Sequence, residues 1–217
     1  MAGNDGDAHH RIRFCVLGPF QVWRDGAPTG VGGAQQRAVL AFLLTEHERT
    51  VSVDQIADAV WGERPPAGYA ATIQTYVFRL REALEPDRAK GEPPGVLVTE
   101  RGGYRLKIDP GGLDAAAFES LIESGDSLLA SGRPAEAAAD LRRALSLWRG
   151  PVLADLAGYD FVARLGSRLD ELRLRAIELR TDAELALGHN ASMIAELNSL
   201  AELHPLREHL QAQRVLA

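Results

Sequence analysis

Cysteine is almost absent from this chain: Cys15 is the only one in 217 residues, which excludes both a disulfide framework and a cysteine zinc site within one molecule. No apolar run is long enough to cross a bilayer, and the opening MAGNDGDAHH has no signal-peptide core. Together these absences predict a cytoplasmic protein with no membrane partner. Catalytic signatures are missing as well, with no Walker motif, nucleophile elbow or Rossmann fingerprint. The glycines of GVGG at 30–33 are not followed by Gly-Lys-Ser/Thr and read as a flexible entry to a helix. His204 and His209 are five residues apart, off a common helical face, and His9 and His10 lie in the polar tail. No metal, cofactor or enzymatic activity is expected. A basic excess is lacking too: residues 1–108 carry 13 Lys+Arg and 13 Asp+Glu, while residues 109–217 carry 11 and 17. The neutral first half removes the usual electrostatic footprint of a nucleic-acid binder, although the placement of a few arginines matters more than their sum.

What is present is a globular composition, 46% hydrophobic and 25% charged, in a chain long enough for two modest domains. Residues 1–10 read as a disordered tail. From Arg11 the pattern alternates, with Ile12, Phe14 and Val16 on one side of a strand and Arg11, Arg13 and Cys15 on the other. Cys15 reads as a small sheet residue rather than a reactive thiol. Gly18-Pro19 breaks this strand, and a second, Gln21 to Arg24, turns at Asp25-Gly26. A helix from Ala34 to about Glu46 buries Val39, Phe42 and Leu43. Gln35, Gln36 and Arg37 stand at its N-terminus, where an anion such as phosphate and plain solvation are both compatible with the free N–H groups. Ser52-Val-Asp-Gln55 is a capping box for a short helix through Ile56, Val60 and Trp61 that ends at Gly62.

The stretch Gly68 to Pro86 is the centre of the pattern. Ile73, Val77, Leu80 and Leu84 form one apolar stripe, Pro86 stops the helix, and Thr72, Gln74, Thr75, Arg79 and Arg81 remain on polar faces. Amides, hydroxyls and guanidiniums on an outward helix face suit a DNA major groove. A hairpin follows, Val96 to Thr99 and Tyr104 to Ile108 around Arg101-Gly-Gly103, with Arg105 and Lys107 on its outer side.

Helix, turn, helix and basic hairpin in this order make the winged variant of helix-turn-helix. YVFRLREALEP with VTERGGYRL resembles the recognition helix and wing of the OmpR/PhoB-type winged helix, and VLGPFQVWRDG, AQQRAVLAFLL and VSVDQIADAVWGERPP resemble the Streptomyces antibiotic regulatory protein (SARP) family, including its EmbR-like activators. The resemblance covers residues 12–108. It implies that helix 68–85 lies in the major groove of double-stranded promoter DNA, with Thr72, Gln74, Thr75 and Arg79 near bases or phosphates and Arg81 near the backbone. It further implies that Arg101 reaches the minor groove from the wing tip, with Thr99 and Arg105 near phosphate. Gln36 and Arg37 complete the candidate DNA-binding set. Phe78 stands where many winged-helix response regulators carry a second arginine, and Glu82 adds a negative charge beside it.

Asp109-Pro-Gly-Gly112 reads as a linker. Beyond it, residues 113–217 are all helix: one capped by Asp114, one opened by Pro134 and carrying Leu141, Ala144, Leu145 and Trp148, a long one from Asp160 to Leu187, and a final pair. The long helix repeats Val162, Leu165, Leu169, Leu172, Ala176, Leu179 and Ala183, which fits a coiled-coil homodimer or packing inside the chain. The alanines in the seam favour the second. At a shift of 56, Leu129, Gly132, Ala135, Ala139, Asp140 and Leu141 face Leu185, Gly188, Ala191, Ala195, Glu196 and Leu197, as in tetratricopeptide-like (TPR-like) arrays. With DLRRALSLWRGPVLADL, this half resembles the bacterial transcriptional activator domain of the same family, which usually continues for further helices. The expected fold is thus an α+β winged helix-turn-helix followed by an all-α TPR-like domain, shortened at its end. The expected function is sequence-specific transcription activation, the helical domain contacting RNA polymerase, a sister regulator or a second protomer. The alternative is a shortened regulator that acts mainly as a protein-interaction module with weak DNA binding.

Overall fold

The computed structural model describes residues 12–47, 49–203 and 206–216. The expected tail with His9 and His10, the first strand residue Arg11, and His204 lie outside the described residues. Two compact units are present. The described residues up to Asp114, joined by Gly150–Gly166, form the first; Ala115–Arg149 and the described residues from Ser167 onward form the second.

In the first unit, β1 (Ile12–Cys15), β2 (Gln21–Arg24) and β3 (Ala27–Pro28) make an antiparallel sheet in the order β1-β2-β3. Phe14 pairs with Val22, and both are buried. The expected alternation fails at the end of β1, because Cys15 is buried along with Phe14 and Val16. The sheet is covered on both sides there, so the side chain that would face water is enclosed instead. The segment read as a linker packs on this sheet: the Phe14 N–H donates to the Gly112 carbonyl at 2.7 Å. The carboxylate of Asp114, read as a helix cap, accepts the N–H groups of Val16 at 2.8 Å and Leu17 at 3.1 Å.

Three helices follow the sheet. In α1 (Ala34–Thr45) every residue from Ala38 to Leu44 is buried, more than the single stripe expected, because neighbours surround it. α2 (Val53–Trp61) starts with the capping box read from the sequence: Ser52 Oγ accepts the Gln55 N–H at 3.1 Å, and Gln55 Oε1 accepts the Ser52 N–H at 2.9 Å. α3 (Tyr69–Leu84) buries Ile73, Val77, Leu80 and Leu84. The sequence pattern therefore located its inner stripe, since burial of one helix face depends on the 3.6-residue repeat alone.

The hairpin pairs β4 (Leu97–Glu100) with β5 (Gly103–Leu106), Leu97 opposite Leu106 and Glu100 opposite Gly103. Its two-residue turn puts Gly102 at φ +99°, a conformation that L side chains rarely adopt. Val51, just before α2, pairs with Tyr104 through two backbone hydrogen bonds of 2.8 and 2.9 Å. The approach is so close that a Cβ on Gly103 would collide with the Val51 carbonyl oxygen and lie 2.6 Å from its carbon. The hairpin is thus welded to the chain entering α2.

The second unit is built from helix pairs. α4 (Asp114–Ala130) crosses α5 (Pro134–Ser146) where Gly125 meets Leu141; a Cβ there would lie 2.6 Å from Leu141 Cγ. Phe118 and Trp148 meet edge to face at 5.5 Å, and Arg173 stacks 4.7 Å above Trp148. From Ser167 on, α6 (Asp160–Ala186) belongs to this unit. Its Arg168 and Arg175 bind Glu119 and Asp126 of α4 at 2.8 and 2.6 Å. Leu174 packs with Leu197 of α7 (Asn190–Leu203) and Leu210 of α8 (Glu208–Leu216), and buried Gln213 donates to the Glu178 carbonyl at 2.8 Å and to Asp182 at 2.7 Å. Of the repeated apolar stripe of α6, Val162, Leu169, Ala176 and Ala183 are buried, whereas Leu165, Leu172 and Leu179 are half-buried. Among the described residues, no helix is long and apolar enough to cross a membrane.

Gly103→Ala should lower stability by about 1–3 kcal/mol, the range for forced overpacking. Urea unfolding checks the loss, and hydrogen exchange should show the amides of Val51 and Tyr104, which bond each other's carbonyls, losing protection first.

Candidate nucleic-acid interface

The surface that could meet DNA consists of the outer face of α3 and the hairpin beside it. Positions 71, 74, 75, 78, 79 and 82 of α3 are all exposed, at the spacing of one helical face. That face carries Ala71, Gln74, Thr75, Phe78, Arg79 and Glu82, while Thr72 is half-buried at its edge. The Thr75 hydroxyl donates back to the Ala71 carbonyl at 2.9 Å, so it is partly spent within the helix. Two tyrosines anchor α3 from its flank: Tyr69 donates to Asp54 of α2 at 2.6 Å, and Tyr76 donates to Gln35 of α1 at 2.8 Å. The bond to Asp54 raises the Tyr69 pKa above its ordinary value. Sequence periodicity did not reveal either contact, because each joins residues on separate elements.

Arg81 has a different place from the one its resemblance implied. Its Nε donates to the Leu97 carbonyl at 2.8 Å and its Nη2 to the Thr99 hydroxyl at 2.7 Å, with the Tyr104 ring 5.9 Å away. Burial pulls its pKa below the ordinary arginine value, with Tyr104 acting in the opposite direction. Arg81 and Thr99 are thus engaged with each other, joining α3 to the hairpin. Arg105 lies 3.8 Å from Glu100 across the wing, and Glu100 also accepts a bond from Thr50. Arg101 is exposed at the turn, and Arg79 is exposed in the middle of the helix face. Neither has a hydrogen-bonding or ionic partner among the described residues.

The start of α1 corrects the sequence expectation most clearly. Gln36 is only 6% exposed and lies beneath Gly32. Arg37 donates to the Phe20 carbonyl at 2.8 Å and pairs with Asp155, while Asp155 also accepts the Phe20 N–H at 2.6 Å. Neither side chain is offered to an outside anion: one is covered and the other is neutralised. The signal was missed because Asp155 is 118 residues away in sequence. Among the described residues there is also no group of histidine, cysteine or carboxylate side chains that could hold a metal ion.

With this geometry in place, comparison with known proteins is decisive. Residues 32–106 match the family "Transcriptional regulatory protein, C terminal", and residues 113–217 match the "Bacterial transcriptional activator domain". The regulatory protein DnrI of Streptomyces peucetius is 34% identical over 209 residues, spanning 95% of this chain and 77% of DnrI. The chain belongs to the SARP/AfsR-DnrI family of transcriptional regulators. The regulatory protein AfsR of Streptomyces coelicolor is 42% identical over 208 residues, covering 95% of this chain but 20% of AfsR. The solved structure of Mycobacterium tuberculosis EmbR, in complex with a low affinity phosphopeptide, superposes with a TM-score of 0.89 at 39% identity, over 95% of this chain and 54% of that one. The chain thus spans a fifth to about half of these two longer SARP-family relatives. The architecture is that of the family, an OmpR/PhoB-like winged helix followed by a TPR-like helical domain.

Arg81→Ala should cost about 1–2 kcal/mol of stability through its two lost hydrogen bonds, and hydrogen exchange at residues 97–106 should accelerate. Arg79→Ala should leave thermal unfolding unchanged, which calorimetry on the two variants checks.

Proposed function

We propose that this SARP-family chain reads double-stranded promoter DNA, with α3 in the major groove and the hairpin at the adjacent minor groove. The single observation that carries this reading is the outer face of α3, where Gln74 and Arg79 stand exposed on a helix held by its opposite side. Gln suits adenine and Arg suits guanine in bidentate pairing, each good pair giving about 1–3 kcal/mol of discrimination. Arg101 supplies charge at the wing tip, and Thr72, Thr75 and Arg105 are placed at the edges of the same surface. Arg81 and Thr99 act chiefly by holding the wing against the helix, and Gln36 and Arg37 by holding α1 in the unit. The helical domain serves contact with RNA polymerase, a sister regulator or a second protomer, in a regulator that activates transcription in the cytoplasm.

Arg37, Arg81 and Arg105 are engaged inside the chain, which takes three of the candidate cations away from phosphate. Duplex binding by one winged helix is therefore weak in its electrostatic part, and tandem or paired binding supplies the affinity. The same observation favours a second reading, a regulator that acts mainly through protein contacts. Selection of duplexes from a random-sequence pool, followed by gel-shift titration across salt, separates the two. The DNA reading expects an enriched sequence and a slope of log affinity against log salt of about −2 to −4 per protomer. Arg79→Ala should relax preference at one position, and Arg101→Ala should weaken all duplexes about equally. Recovery of no sequence, together with a stable complex in pull-down against sister regulators, would favour the protein-contact reading.

A further inference from the structure

Phe78 is 61% exposed, and among the described residues it is the one large hydrophobic side chain of the first unit left so open. Single exposed apolar residues are common and need no function. This one, however, stands at the centre of the outer face of α3. At 100° per residue, Phe78 lies within roughly 20° of the line through Ala71, with Gln74 on one side and Thr75 and Arg79 on the other. No aromatic or cationic partner covers its ring among the described residues. The Thr75 hydroxyl turns back onto the Ala71 carbonyl, so the methyl groups of Ala71 and Thr75 join the ring in a short apolar strip. The strip runs between the two side chains best suited to hydrogen-bond base edges.

In the major groove only one base offers apolar chemistry, thymine through its C5-methyl group. We propose that Phe78 selects a T·A pair in the bound site by packing its ring on that methyl group, an inference that rests on the DNA-reading function proposed above. An arginine at this position would seek a guanine edge or a phosphate. The aromatic ring exchanges that preference for one that depends on shape and water exclusion, and it adds no salt dependence. Glu82, one turn further on, lies 3.6 Å from Arg88, and its carboxylate repels phosphate, so the ring carries the T·A preference alone.

The test uses the full chain and a duplex selected by it from a random-sequence pool. Each thymine of that duplex is replaced in turn by deoxyuridine, which keeps base pairing and removes only the C5-methyl group. The unaltered protein should lose about three- to fivefold in affinity at one position, the weight of one buried methyl group. Phe78→Ala should bind the thymine duplex more weakly by at least that factor and become indifferent to uracil at the same position, while Phe78→Leu keeps part of the discrimination. Since the side chain is exposed, thermal unfolding of both variants should match the parent. Uracil tolerance at every position would overturn the proposal, as would undiminished uracil sensitivity in Phe78→Ala. Failure to select any duplex would overturn the DNA reading itself, whereas selection followed by either of those results overturns only the role of Phe78.

Discussion

The guanidinium of Arg81 spans from the recognition helix to both a backbone carbonyl and a hydroxyl of the hairpin. A planar fork with donors in fixed directions holds an angle as well as a distance. This constraint sets helix and wing into one surface, and the remaining contacts around it are consistent with that role. Val51 and Tyr104 of β5 pair backbone to backbone, and Thr50 bonds to Glu100 at the end of β4. The wing is thereby tied to the segment entering α2 as well as to α3. The proposed reading needs α3 and the wing presented together, so these ties bear on it although none of their atoms need touch DNA.

The same arrangement shows how a net charge of zero can coexist with the proposed DNA reading. Charge balance over residues 1–108 hides two classes of arginine. Arg37, Arg81 and Arg105 spend their donors inside the chain, where they close ion pairs and hydrogen bonds between elements. Arg79 and Arg101 stay outward on the helix face and the wing tip. Phosphate attraction draws on cations of the second kind rather than the first. Under the proposed function, a helix face with one free arginine, an amide and an aromatic ring would depend on base chemistry more than on a strong field.

The helical half follows a separate logic. Its apolar repeat in α6 could have served a coiled coil, and the sequence left both readings open. Ion pairs from α6 to Glu119 and Asp126 of α4, and the buried amide of Gln213 against Glu178 and Asp182, tie this helix to its neighbours in the chain, while Leu165, Leu172 and Leu179 of the stripe stay half-buried. Single exposed ion pairs contribute little energy. What they do here is orient helices whose close approach is permitted by small residues such as Gly125.

The inner stripe of α3, the capping box of α2, the hairpin and the helical second half were legible from residue order, because periodicity, caps and turns are local properties of a chain. Tertiary structure decided which polar residues face outward. Gln36 and Arg37 have the composition of an anion site, yet one is buried and the other is matched by Asp155, brought from far along the sequence. Arg81 has the charge for phosphate, yet its donors are directed at the hairpin. Phe78 looked like a defect in a polar helix, and only its place at the centre of the exposed face turned it into a candidate for base recognition. Local sequence specifies elements and their buried sides, whereas the availability of a donor depends on partners that only the folded chain brings within reach.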